Sequence, residues 1–321
     1  DTGAYEDTNT PELIATGEGG MGTSGRFHAK NTLTLLTLKP GLFTASGRDA
    51  AGTVWFDDLG ANPSTETASA WLSGAPANPV RTHASHKGSY GDVAVIGGAP
   101  GMAGAALLAA SAALHSGAGR VFVGLLDGSA GLAAIQPELM LRTPASLDLS
   151  SMTVVCGCGG GSAVRAELPR VLSTAAALVL DADALNAIAT DPSLQTLLHQ
   201  RAQRGAATVL TPHPLEAARL LGQNTAAVQA DRLHAAQQLA DHYQCTVVLK
   251  GSGSVIATPG ARPHINPTGN ARLATAGTGD VLAGMVGAAL ASGHSAPDAA
   301  ASAVWRHGAL ADRWPGHMPL T

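Results

Sequence analysis

The chain has 321 residues, of which 45% are apolar, 13% charged and only 3% aromatic, with a formal net charge of −4. That is enough apolar chain for one large core built from Ala, Val, Leu and Ile, which excludes a largely disordered protein. The acidic balance gives no footing for a nucleic-acid partner, and no stretch approaches the roughly 18 uninterrupted apolar residues of a membrane span. The opening residues do not read as a signal peptide. Cys156, Cys158 and Cys245 fit neither a CxxC motif nor a zinc spacing, and read as free thiols of a reducing, cytoplasmic compartment.

In chain order, the residues up to about Gly25 are polar and rich in Gly, Thr and Glu, and read as loops. Strand-like runs follow at 31–38 and 52–57, with Lys39-Pro40-Gly41 and Ser46-Gly47-Arg48-Asp49 as turn signals between them. Residues 61–85, interrupted by Pro63, Ser64, Pro76 and Pro79, read as a linker. From His86 the texture changes. Short apolar strands are expected at 93–96, 120–125, 152–156, 177–180, 208–210 and 246–249. Helical patterns at 103–116, 164–173, 194–204, 214–221, 226–243, 280–292 and 296–312 fill the intervals and end the chain. This alternation predicts an α/β fold with a mainly parallel central sheet and helices on both faces. Ligands then bind beyond the carboxyl ends of the strands. The Ala-rich helical faces permit a homo-oligomer without requiring one.

The densest chemistry lies between Asn266 and Asp280, where Asn270, Gly277, Thr278, Gly279 and Asp280 lead into an apolar helix. Unpaired amides and the positive end of the helix dipole make Gly277, Thr278 and Gly279 a candidate anion hole for a transferring phosphoryl group. Asp280 beside it can accept a proton from a substrate hydroxyl. Read as a bare string, the same residues also describe a Gly-rich turn with Asp280 capping the helix.

This segment resembles the Asn-x-x-x-Ala-x-Gly-Gly-x-Gly-Asp signature of the ADP-dependent (S)-NAD(P)H-hydrate dehydratases, a branch of the ribokinase-like fold. Four more stretches match in order. They are His86-Lys87-Gly88-Ser89-Tyr90-Gly91, Gly101-Met102-Ala103-Gly104-Ala105-Ala106, Thr211-Pro212-His213-Pro214-Leu215-Glu216 and Val248-Leu249-Lys250-Gly251. The resemblance implies a lyase that uses ADP and Mg2+ to repair NADHX and NADPHX, the hydrated coenzymes, with Asp280 as the catalytic acceptor. It implies that Lys250, Gly251, Ser252, Gly253, Ser254 and Gly279 hold the nucleotide, and that Gly104, Ala105, Gly159, His213 and Asp280 meet the hydrated substrate. Gly104 and Gly159 also suit tight turns or helix packing, and His213 could simply fill a strand end.

Asp181-Ala182-Asp183-Ala184-Leu185 looks like the family's Asp-Ala-Asp-Ala-Leu element. Carboxylates there could hold water on a magnesium ion; if the strand runs on, the two face one way, and otherwise Asp183 caps a helix. Asp183 and Glu216 are the candidate metal residues, through water, although Glu216 in a first helical turn also suits capping. Ala276, Leu215 and Cys158 stand where the family usually has glycine, glycine and proline. The rival readings are a ribokinase-like kinase of a vitamin-precursor alcohol and a non-catalytic nucleotide-binding protein.

Residues 1–60 resemble the tail of the epimerase domain commonly fused ahead of this dehydratase, through Lys39-Pro40-Gly41-Leu42, Gly47-Arg48-Asp49-Ala50-Ala51-Gly52 and Asp1-Thr2-Gly3. Its Gly/Asn-rich dinucleotide loop, expected further upstream, is not in this sequence, so no claim of epimerase activity is made for it. The organisation expected is an epimerase-like remnant at 1–60, a linker at 61–85 and the ribokinase-like domain at 86–321.

Overall fold

The computed structural model describes residues 28–61, 68–77, 81–128, 136–316 and 318. The loops expected up to Gly25, Asp1-Thr2-Gly3 and the linker residues Pro63, Ser64 and Pro79 lie outside them. Two strands, β1 (Asn31–Leu35) and β2 (Thr53–Asp57), pair in parallel as a small separate sheet. Between them α1 (Ala45–Ala51) occupies the stretch expected to turn at Ser46–Asp49. Its buried Gly47, Ala50 and Ala51 explain the difference: burial of a helical face outweighs weak local propensity.

The main layer is assembled from β3 (Trp71–Leu72), β4 (Asp92–Gly97), β5 (Arg120–Leu125), β6 (Met140–Leu141), β7 (Thr153–Cys156), β8 (Ala177–Leu180), β9 (Thr208–Leu210), β10 (Thr246–Leu249), β11 (Val255–Ala257) and β12 (His264–Ile265). Their order across the sheet is β3-β12-β11-β10-β9-β8-β7-β4-β5-β6. Strands from β10 to β6 are mutually parallel, whereas β11 runs antiparallel to both of its neighbours. β3 lies within the stretch read as linker and closes one edge beside β12.

Helices cover both faces, as the alternation predicts. One face carries α3 (Val164–Thr174), α4 (Ala182–Ala189), α5 (Pro192–Gln203), α6 (Pro214–Leu221), α7 (Thr225–Ala230) and α8 (Arg232–Tyr243) on Ile96, Leu178, Leu180, Leu210 and Leu249. The other carries α2 (Ala103–His115), α9 (Thr278–Ala291) and α10 (Ala296–Arg313) on Val93, Val95, Val155, Val179, Val209 and Val248. Successive strand residues point to opposite faces, so each strand delivers to both layers and reads as a continuous apolar run. The single helix expected at 226–243 is two. Asp231 leaves helical geometry at φ −136° and its carboxylate accepts from His234 N at 2.9 Å, starting α8 afresh. Among the described residues no helix is long and apolar enough to cross a membrane.

The valine face admits close helix contact because its helices are made of Ala and Gly. A Cβ on Gly284 of α9 would collide with the Ala109 carbonyl oxygen of α2, and one on Gly287 would sit 2.5 Å from Val155 Cγ2. Gly104, at the exposed start of α2, has nothing within 4 Å of the same position. Gly284→Ala should therefore lower the melting temperature by roughly 3–10 °C through overpacking. Gly104→Ala should leave it level or slightly raised, since alanine is the better helix former. Thermal unfolding of the two variants measures both, and equal effects would contradict this packing.

Candidate active site

Because β4 and β7 to β10 run parallel, their carboxyl ends open on one edge of the sheet. The backbone ladder continues one step beyond each strand: Lys250 N donates to Pro212 O at 2.8 Å, Thr211 N to Leu180 O at 3.0 Å, Asp181 N to Cys156 O at 3.1 Å and Gly157 N to Ile96 O at 3.1 Å. Lys250, Thr211 and Asp181 are thereby set side by side. Lys250 Nζ donates to Asp181 Oδ1 at 2.6 Å, and Thr211 Oγ1 donates to the same oxygen at 2.8 Å. Asp181 is 1% exposed. Burial would lower the affinity of Lys250 for its proton, but Asp181 and Glu216 more than offset this and the net shift is upward, so the ammonium stays charged.

Glu216 lies one position beyond this pair, with Oε2 4.0 Å from Lys250 Nζ. The same oxygen accepts from His213 N at 2.8 Å, while His213 Nδ1 accepts from Leu215 N at 3.1 Å and Glu216 N at 3.3 Å. This reciprocal capping box starts α6 after Pro214. It also assigns the neutral His213 ring its proton on Nε2, which faces Glu216 Oε1 at 3.2 Å. Burial pushes the Glu216 carboxyl up to about 7. Burial, then the Lys250 charge, lowers His213.

From the other layer α9 points its amino terminus at the same edge. Gly277 caps it with φ +90°, a conformation that suits glycine, and a Cβ there would stand 2.6 Å from Leu108 Cδ1. The amides of Gly279 and Asp280 have no hydrogen-bond partner among the described residues, whereas Thr278 N reaches Thr275 O at 3.5 Å. Gly277 N has no partner among the described residues either, so of the expected Gly277–Gly279 loop only the Thr278 amide is engaged, and Asp280 N joins the free set. Lys250 Nζ lies 3.4 Å from where a Gly279 Cβ would be.

Asp280 is half-buried and hydrogen-bonded by the Cys158 thiol. Burial first, then the Asp181 and Asp183 charges, raise its carboxyl to about 6 against the opposing pull of Cys158 and Lys250. Cys158 is itself held well above the ordinary thiol value by burial and by the charges of Asp181 and Asp280. Its sulfur and the carboxylate oxygens of Asp181 and Asp280 all lie within 4.8 Å of one another. Asp183 and Glu216, the sequence candidates for a metal, are outside that group. Asp183 lies in the first turn of α4 and accepts from Gly161 N at 2.8 Å. Asp181 and Asp183 are separated by Ala182 at φ +49°, which turns the chain from strand to helix and removes the alternation that would have aimed both carboxylates one way.

Gly279 borders a cavity, and Asp280 lies beside Cys158 of the loop after β7. The cavity, of about 540 Å³, is lined by Lys250, Gly251, Ser252, Ser254, Asn266, Thr278, Gly279 and His307, among others. Gly253 does not line the cavity; it is buried against the Phe43 carbonyl. His307 hydrogen-bonds the Thr278 backbone, and burial pushes it down to about 4, so it is neutral. Asn266 and Asn270 shape this wall: Asn266 Nδ2 donates to Thr268 O at 3.0 Å and Asn270 Nδ2 to Asp312 Oδ1 at 2.9 Å.

The loops after β4 and β7 are joined by Gly98 N to Cys158 O at 3.0 Å and Ala99 N to Gly159 O at 2.7 Å. That brings Gly104, Ala105 and Gly159 together. Gly159, at φ +58°, packs on Met102 and Ala105 as a tight turn requires, while Gly104 leaves open space above α2. Sequence reasoning singled out neither His307 nor the Asp181–Lys250 pair. A histidine in a helix carries no local signal of what it faces, and an ion pair 69 residues apart carries none either.

The pattern that defines the family described as NAD(P)H-hydrate dehydratase matches residues 93–319. The ADP-dependent (S)-NAD(P)H-hydrate dehydratase of Neisseria meningitidis is 45% identical over 241 residues, 72% of this chain and 80% of that protein. The bifunctional NAD(P)H-hydrate repair enzyme Nnr of Escherichia coli is 39% identical over 308 residues, 89% of this chain but 56% of that longer protein. Among solved structures, the ADP/ATP-dependent NAD(P)H-hydrate dehydratase of Bacillus subtilis, co-crystallised with ATP/Mg2+, superposes with a TM-score of 0.64 at 33% identity. The alignment covers 76% of this chain and 89% of that one. With the ribokinase-like sheet, the α9 amino terminus and Asp280 in place, the chain belongs to the NAD(P)H-hydrate dehydratase family.

Proposed function

We propose that this enzyme uses ADP to dehydrate (S)-NADHX and (S)-NADPHX, restoring NADH and NADPH. The observation that carries the reading is the position of Asp280. It stands at a helix amino terminus with free amides, next to Gly279 of a cavity that takes a nucleotide and beside Cys158 of the loops that take the hydrated coenzyme. The substrate's ring hydroxyl oxygen attacks the terminal phosphorus of ADP, its proton passes to Asp280, and the bond to AMP breaks with its electron pair leaving on AMP. The Gly279 and Asp280 amides and the Lys250 ammonium balance charge on the transferred group. Phosphate then departs with the C–O electron pair as a proton leaves the adjacent ring carbon, which restores the dihydronicotinamide. Phosphorylation is required because hydroxide is a poor leaving group and phosphate a good one.

A hard dication fits the donors present. The charges of Asp181 and Asp183 make ionising Asp280 costlier, with Lys250 opposing them, and Mg2+ takes oxygen ligands and keeps several waters. Asp183 and Glu216, with Asp181, would hold it through water beside the nucleotide phosphates, where it would screen their charge. Three buried free cysteines suit a reducing cytoplasm. Residues 1–60 are, in this reading, an epimerase-like segment joined through 61–85 to the dehydratase domain.

Incubation with hydrated NADH, Mg2+ and either ADP or ATP should restore the dihydronicotinamide absorbance, and Asp280→Asn should slow it by about 10²–10⁴-fold. Accumulation of a phosphorylated product without restored coenzyme would instead identify a kinase. Turnover in the parent should rise as pH passes upward through about 6, because only the ionised Asp280 accepts a proton.

Stability should show the opposite sign. A carboxyl raised from 3.8 to about 6 is protonated more readily in the folded state, so its charge weakens the fold above that window and not below it. Asp280→Asn should therefore melt a few degrees higher than the parent in alkaline buffer, with the gap closing as pH falls through about 6. An unchanged gap across that range would contradict the assignment.

A further inference from the structure

We propose that the amino-terminal segment is a wall of the nucleotide site, and that Arg48 on α1 binds the nucleoside diphosphate there. This rests on the cavity being the nucleotide site. The segment lies outside the region, residues 93–319, that matches the dehydratase family, yet Arg48 and Asp49 line the same cavity as Lys250, Ser252 and Gly279.

Three contacts fix the segment to the groups that shape this cavity. Ala45 N donates to Ser252 O at 3.0 Å. The Phe43 carbonyl closes over Gly253 so tightly that no Cβ could stand there. Arg48 Nη2 donates to Pro267 O at 2.6 Å and to Gly269 O at 2.7 Å. The loop after β10 and the 266–274 loop, which face one another across the cavity, are thus both held by a few residues of α1 and its approach.

Arg48 does more than clamp. A guanidinium has five N–H donors, and Nη2 alone serves the loop. Nε and Nη1 have no protein partner among the described residues, although the residue is half-buried and lines the cavity. A pinned, planar cation with donors to spare, facing a cavity that also presents the Lys250 ammonium, is suited to a polyanionic ligand. Because Asp280, Cys158 and Asp181 do not line this cavity with it, Arg48 contacts a part of the nucleotide away from the reacting hydroxyl. Such contacts act equally in ground and transition states, and appear in KM rather than kcat.

The test uses the full chain. Arg48→Met should raise KM for ADP about tenfold while kcat stays within about twofold. Arg48→Lys keeps a charge and one donor for the loop carbonyls, and should restore the melting temperature while leaving KM at least about threefold high. In the parent, saturating ADP should slow hydrogen exchange at the α1 amides, Ala45 above all, which decides the matter even if a variant fails to fold. An unchanged KM in Arg48→Met, recovery of KM together with melting temperature in Arg48→Lys, or α1 exchange indifferent to bound ADP would each overturn the proposal. If the parent shows no response to ADP at all, the nucleotide reading fails and this one falls with it.

Discussion

The buried Lys250–Asp181 pair is the constraint from which the rest of the site follows. It joins the end of β10 to the end of β8 across β9, and β9 supplies Thr211 to the shared oxygen. Removing either partner would leave a charge stranded in a desolvated place, which is far costlier than never having placed the pair there. Asp181's charge then acts on its neighbours. It helps hold Asp280 and Glu216 above the usual carboxylate range, while Lys250 restrains both shifts. One ion pair thus fixes the spacing of three strand ends and tunes Asp280, the proposed proton acceptor.

The opposite layer explains the composition. A chain with 39 glycines and 3% aromatics cannot fill its core with large rings; it brings backbones together instead. Gly284 against α2 and Gly287 against Val155 let α9 lie close to the sheet, so the amides of its first turn reach the strand ends rather than stopping a side chain's length away. Close packing is thus what brings the α9 amino terminus to the strand ends, and the dipole's effect fades within the first turn.

Much of the site was legible because its parts are local. Gly277 to Asp280 is a loop, a cap and a carboxylate in four consecutive residues, and Glu216 reads as a first-turn capping residue, although its reciprocal box with His213 emerges only in the structure. The parallel sheet and its two helical faces followed from alternating apolar runs. What escaped is short or held by distant contacts. α1 was read as turn because its glycine and aspartate favour one, and β3, β11 and β12 are two or three residues each. The relative aim of Asp181 and Asp183 is not legible either: the left-handed Ala182 turns the chain between them, giving Asp183 to Gly161 N and Asp181 to Lys250.

The amino-acid sequence by itself determined the layer architecture and the family resemblance, and it singled out Asp280 as the candidate acceptor, since periodicity and contiguous motifs are properties of neighbouring residues. Tertiary structure alone decided which charges meet. It paired Lys250 with Asp181 across 69 positions, set Cys158 against Asp280, and swung Arg48 onto a cavity more than 200 positions along the chain. Those distances depend on how strands order in the sheet and on which loops dock, and no local preference encodes either.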